Sequence, residues 1–141
     1  MTEHDRDAMV AVARAHAAAE RAGDIEATMA TLDDDPTYEL QPMGVVLRGR
    51  DVARRYYEHF FSDCQRRVRR SELRSEWITD RGVLQEYTLH VLDPDGTTSR
   101  HDVVAILSFG SAGKLSGERL YAGDTLIRFL FGPVLHGAAR V

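Results

Sequence analysis

Near the start of the chain Met9, Val12, Ala13 and Ala19, with His16 among them, recur at three- and four-residue spacing in an Ala-rich stretch. That period predicts a helix over residues 5–22. Gly23 suits a left-handed helix end and Asp24 can cap a second helix over residues 25–32. Pro36 stops helical structure, and residues 37–41 and 45–47 read as short strands on either side of Pro42-Met43-Gly44. Asp51 then opens a helix over residues 52–61, with Val52, Tyr56 and Phe60 on one side and Ala53, Tyr57 and Phe61 on the next. From residue 68 the period changes to that of strands, over residues 68–79, 83–92, 98–109 and 114–122. Asp93-Pro94-Asp95-Gly96 and Gly110-Ser111-Ala112-Gly113 supply the turns, and a last helix over residues 125–131 lies between Asp124 and Gly132. The order implies an α+β domain whose helices cover one face of a curved, antiparallel sheet of five or six strands.

Composition narrows the function classes. The 141 residues suit one domain spanning 1–141. A net charge of −4 offers no global field for nucleic acid or an anionic membrane. The basic run Arg66-Arg67-Val68-Arg69-Arg70 lacks interleaved aromatics and reads as a solvated edge. Cys64 is the only cysteine, expected as a small packed side chain. The acidic N-terminus shows no signal-peptide pattern, and the apolar stretch at 126–135 is broken by Arg128, Gly132 and Pro133. A cytoplasmic protein without a membrane segment is therefore expected. Six histidines, at positions 4, 16, 59, 90, 101 and 136, form no His-x-x-x-His or His-x-His pair. No phosphate-cradling glycine loop or nucleophile elbow is present, so neither metal nor cofactor is expected.

Three stretches carry a resemblance: AGDIEATMATLDDDPTYELQP, RGRDVARRYYEHF and HDVVAILSFGSAGKLSGERLYAGD. Over about residues 8–132 the chain resembles the SnoaL-like and ketosteroid-isomerase-like branch of the nuclear transport factor 2-like superfamily. The resemblance implies a cone-shaped α+β barrel, with three to four helices and a curved sheet enclosing a cavity, and a homodimer through the sheet's outer face. It does not imply one activity, because the fold hosts isomerases, cyclases, dehydratases, epoxide hydrolases and non-enzymatic binders. Ketosteroid isomerases need a carboxylate base with a tyrosine and a protonated carboxyl as oxyanion donors. Their base position falls here on Leu40 or Gln41, the tyrosine on His16 and the second carboxyl on Ala105. Steroid isomerisation by that route is excluded.

Hairpin arithmetic offers other candidates. A two-residue turn at Asp95-Gly96 would pair His90 with His101, Thr88 with Val103 and Glu86 with Ala105. A turn at Ala112-Gly113 would pair Leu107 with Glu118 and Ala105 with Leu120. Glu86, His90, His101, Glu118 and Leu120 then share a face, on condition that neither turn slips by a residue. The resemblance turns this face inward, since Ala105 takes a cavity position of the family. By analogy with SnoaL-like cyclases, Glu118 is the acid/base candidate and His101 its partner. His90, His16 and Glu86 would assist, while Tyr38, Gln41, Tyr56, Tyr57, Trp77 and Leu120 would shape the pocket. The same residues admit a structural reading, with Glu118 paired to an arginine, His90 and His101 solvated, and His16 a hydrogen-bonded core histidine.

The leading expectation is a cofactor-independent acid/base enzyme acting on a small hydrophobic carbonyl compound through an enol(ate). Cyclisation, isomerisation or dehydration would be the reaction class. The alternative is a non-catalytic ligand-binding or dimerisation module. A deep cavity gathering Glu118, His101 and His16 would favour the enzyme, and a cone filled by side chains the module.

Overall fold

A computed structural model describes residues 3–140, with side chains from residue 5 onward. Helix α1 (Glu3–Ala22) ends where Gly23 takes φ +66°, and Asp24 accepts the Ala27 N–H at 3.0 Å to cap α2 (Ile25–Ala30). The second helix is shorter than expected. Strand β1 (Leu32–Gln41) begins before Pro36, so Asp33, Asp34 and Asp35 lie in a strand rather than at a helix end. The Arg50 guanidinium anchors this junction by donating to the carbonyls of Met29, Leu32 and Asp33 at 3.0–3.1 Å. Strand β2 (Val45–Arg48) leads through Gly49 into α3 (Arg50–His59), which therefore starts ahead of the expected Asp51 cap. A π-helical turn, Phe60–Cys64, and a short 3-10 turn, Gln65–Arg67, extend α3. Cys64 is buried there and donates its thiol to the Phe129 carbonyl at 3.1 Å, the packing role expected of it.

Strands β3 (Val68–Ile78), β4 (Gly82–Leu92), β5 (Thr98–Phe109) and β6 (Leu115–Tyr121) then run back and forth. Helix α4 (Asp124–Phe131) and a two-residue strand β7 (Ala139–Arg140) complete the described chain. The seven strands form one open, curved sheet in the order β3-β4-β5-β6-β1-β2-β7. That exceeds the five or six expected strands, and one pairing departs from the antiparallel expectation: β1 runs parallel to β6. Helix α3 makes this possible by carrying the chain from β2 across to the far edge.

Along the strands alternate residues turn toward the helices. Tyr38 and Leu40 of β1, Leu120 of β6, Val103, Ala105 and Leu107 of β5, and Val83, Leu89 and Val91 of β4 are buried there. They pack with Met9 and Ala13 of α1, Tyr57 of α3 and Leu126, Ile127 and Leu130 of α4 into one core. No helix among the described residues is long and apolar enough to cross a membrane.

The parallel seam is irregular. Leu32 pairs with Leu115 but Thr37 with Gly117, so β1 carries a bulge of extra residues opposite a short step in β6. Gly117 takes φ +149°, and a Cβ on it would lie 1.8 Å from the Thr37 carbonyl oxygen. Backbone meets backbone there, so no side chain can yield. Gly117→Ala should cost about 2–4 kcal/mol, read as a lowered denaturation midpoint; a variant as stable as the parent would show that the seam is free to shift.

Candidate active site

The β4–β5 connection decides which side chains meet. Leu92 pairs with Thr98, and the chain between them turns through Pro94 and Asp95 with Gly96 at φ +86°. The Gly96 N–H reaches the Asp93 carbonyl at 3.0 Å and the Asp93 N–H the Thr97 carbonyl at 2.8 Å. Pro94 favours such a turn, and the left-handed glycine after it adds a residue that a two-residue loop lacks. The register therefore moves by one, and every β4 side chain changes face. Gln85, Tyr87 and Leu89 point inward; Glu86 and His90 point outward, correcting the face expected for them.

The second hairpin keeps its expected register, with Leu107 opposite Glu118 and Ala105 opposite Leu120. Glu118 therefore lies on the inner face between Leu107 of β5 and Tyr38 of β1. Facing it across the cone is His16, buried on the α1 stripe where Ala13 and Ala19 let the helix approach closely. A hydrogen-bonded chain joins the two sides. The Tyr38 and Tyr57 hydroxyls are 2.8 Å apart, and the Tyr57 hydroxyl is 3.3 Å from His16 Nε2. His16 Nδ1 lies 2.7 Å from Thr31 Oγ1, and Nε2 lies 2.9 Å from Glu20 Oε1, one helical turn along α1.

Glu118, His16, Tyr38 and Tyr57 border one narrow crevice, closed by Leu32, Leu107, Leu115 and Gly117. Side chains fill it, leaving essentially no volume in which a water molecule fits. Glu118 has no hydrogen bond from any described residue. Burial, then the nearby Glu20 carboxylate, push its pKa up to about 7, and His16 opposes them only in part. Burial alone would depress His16, but the Glu20 hydrogen bond and charge, with the field of Glu118, raise it overall. Burial holds the Tyr38, Tyr56, Tyr57 and Tyr87 phenols protonated well beyond the usual tyrosine range.

The remaining sequence candidates are spread over the fold. Leu120 shares the inner face, one inward position along from Glu118, and is buried. Tyr56 backs Tyr38 and Tyr57 and stacks on Phe131, with ring centroids 4.2 Å apart. His101 faces inward but sits six residues along β5 from Leu107, about 20 Å from Glu118. It is hydrogen-bonded to Ser99 at 2.8 Å near the hairpin end and does not join the crevice. His90 bonds Glu72 at 2.8 Å on the outer face, Glu86 is exposed there, and Trp77 is 52% exposed opposite Leu84. Gln41 lies half-buried on the face away from Leu40. Glu20 and Thr31 were missed from the sequence, although His16 and Glu20 stand at the four-residue spacing of a helical pair. Among residues with described side chains, no group of three or more His, Cys, Asp or Glu could hold a metal ion.

The raised Glu118 pKa has a consequence for stability. A carboxyl that ionises near pH 7 folded and near 4.5 unfolded holds its proton more tightly in the native state. It therefore destabilises the fold as pH rises from about 4.5 to 7, by up to the order of 3 kcal/mol. Glu118→Gln should unfold later than the parent at pH 8 and at nearly the same point at pH 4, in paired denaturation curves. A variant equally or less stable at pH 8 would contradict the strained carboxylate.

The comparisons with known proteins agree with this architecture. Residues 13–117 match the family model of the SnoaL-like domain. An NTF2-like protein of unknown function from Cytophaga hutchinsonii superposes with a TM-score of 0.67 at 13% identity, covering 82% of this chain and 99% of its own. A candidate polyketide cyclase from Xanthomonas campestris pv. campestris gives 0.66 at 19% identity, over 91% of this chain and 99% of its own. The epoxide hydrolase/cyclase-like enzyme SalBIII, of pyran ring formation in the polyether salinomycin, gives 0.66 at 22% identity, over 87% and 94%. No curated protein matches in sequence. At such identities the solved structures establish the fold alone, but the family model spans most of the chain. The protein belongs to the SnoaL-like domain family and shares the fold of the NTF2-like structures it superposes on.

Proposed function

We propose that the protein is a cofactor-independent acid/base enzyme of the cyclase, isomerase or dehydratase type, with Glu118 moving the proton. One observation carries this reading: a half-buried carboxyl on the inner face, without a hydrogen-bond partner and beside a hydroxyl–imidazole chain, whose pKa its surroundings push up to about 7. A group poised there is available as acid or base at neutral pH. The substrate is a small hydrophobic molecule bearing a carbonyl. The Glu118 carboxylate takes a proton from the carbon beside the carbonyl, the bonding pair becomes the enolate, and Tyr38 donates a hydrogen bond to the enolate oxygen. Returning the proton elsewhere on the skeleton completes an isomerisation; attack of the enolate carbon on a second carbonyl breaks its π bond, and return of the proton from Glu118 to the resulting alkoxide completes a cyclisation. Leu107, Leu115 and Leu120 supply the apolar wall. The cyclase-type names of two structural neighbours, and the family match, support the reaction class. Leu84, Ile106, Trp77 and Tyr121 on the outer face of the sheet support the expected homodimer.

A second reading rests on the filled crevice. A dimerisation module on this fold has no need of an open cavity, whereas an enzyme or a ligand binder must open one when its ligand enters.

Solvent exchange separates the two without knowledge of the natural substrate. In D₂O the protein should accelerate deuterium uptake beside the carbonyl of small cyclic ketones and β-keto esters, followed by proton NMR. Glu118→Gln should slow that uptake by about 100-fold or more. Uptake no faster than in buffer, or equal in the variant, would leave the binding module standing.

A further inference from the structure

Glu20 lies outside the residues assigned so far, yet the hydrogen-bond distances around His16 give it a function. The Thr31 hydroxyl donates its one proton to the Thr28 carbonyl at 2.6 Å. Its oxygen, 2.7 Å from His16 Nδ1, can then only accept, so Nδ1 carries a proton. On the other side of the ring Nε2 is 2.9 Å from a Glu20 carboxylate oxygen, an ion-pair contact that a bare lone pair on Nε2 would make repulsive. Nε2 is therefore protonated as well, and His16 is an imidazolium.

That charge orients the chain of hydroxyls. The Tyr57 oxygen, 3.3 Å from Nε2, shares that one N–H with the Glu20 carboxylate and acts as an acceptor. Its proton is left to donate to the Tyr38 oxygen at 2.8 Å, and the Tyr38 proton is free to point into the crevice beside Glu118. A neutral His16, with a lone pair on Nε2, would draw the Tyr57 proton toward itself. Tyr57 would then accept from Tyr38, leaving no proton for a ligand. The two states differ in one proton on one nitrogen, and their effect at Tyr38 is opposite.

We infer that Glu20 is a positioning residue which, with Thr31, holds His16 as an imidazolium and so turns the Tyr57–Tyr38 chain to donate toward the substrate oxygen. The inference rests on the acid/base reading of Glu118 and narrows its substrate to compounds whose oxygen gains negative charge during reaction, since a phenol backed by a cation stabilises that charge best. The ionisable groups facing His16 are Glu20 on its own helix, Tyr57 on α3, and Tyr38 and Glu118 on the sheet. Glu20 is half-buried, with its side chain 34% exposed, so the fold tolerates its replacement.

The test reads the imidazole directly. Long-range ¹⁵N–¹H NMR at pH 7.5 should show both His16 nitrogens in the protonated range in the parent. Glu20→Gln should convert the ring to a neutral form with an acceptor Nε2, Glu20→Asp should restore the cation in part, and Thr31→Val should weaken it. In the ketone exchange assay Glu20→Gln should lower kcat about tenfold or more with KM within about twofold. A neutral His16 in the parent, a His16 still doubly protonated in Glu20→Gln, or an unchanged kcat with a neutral ring would each overturn the inference. If the parent catalyses no exchange while the imidazole responds as stated, the acid/base reading fails and the positioning by Glu20 stands, because the titration needs no substrate.

Discussion

The parallel pairing of β1 with β6 is the constraint on which the site depends. It places Tyr38 beside Glu118 and Leu40 beside Leu120, so one strand supplies a hydroxyl and the other a carboxyl at the same depth in the cone. The pairing is tight enough to require glycine at 117, where the Thr37 carbonyl occupies the space of a side chain. The bulge opposite takes up the three aspartates and brings Leu32 back against Leu115 at the closed end. Arg50 ties that bulge to the end of α2 by donating to the carbonyls of Met29, Leu32 and Asp33. Each feature is local, and together they hold one half-buried, unpaired carboxyl at a fixed place.

The electrostatics follow from that placement. An interior carboxylate without donors is unfavourable, and the fold meets this with a proton rather than an arginine. The cation closest to Glu118 in kind is His16, which is itself engaged by Glu20. Two carboxylates thus share the influence of one imidazole: the half-exposed Glu20 takes the direct contact, and Glu118 is left about half protonated near pH 7. A direct ion pair at Glu118 would have lowered its pKa instead. The arrangement instead keeps one group ready to exchange a proton, at the expense of native-state stability.

Much of this was legible in the chain itself. The three-four spacing around His16, the turn glycines and the change of period at residue 68 place nearly every element within a few residues, because helix and strand periods are local. The faces of β5 and β6 came out as expected, so Glu118 was found, although a bulge between Ser108 and Phe109 restores that register rather than a two-residue turn at Ala112-Gly113. The face of β4 did not follow, because Pro94 and Gly96 together make a longer turn than Asp95-Gly96 alone and shift the register by one. His90 and Glu86 were misplaced for that reason alone. His101 lay on the correct face, but facing says nothing of distance along a strand. Glu20 and Thr31 lie on one helix and at the end of the next, and only the packing of α1 on α2 brings both to His16. Such contacts leave little trace in a single sequence.

The SnoaL-like fold does not by itself fix an activity, so the account stands on the state of one carboxyl. A ¹³C-detected NMR titration of the glutamate carboxyls, with Glu118 assigned by its loss in Glu118→Gln, measures that state directly. A Glu118 midpoint near pH 7 is the predicted result. A midpoint near 4.5, the ordinary value for a solvated glutamate, would contradict the account at its centre.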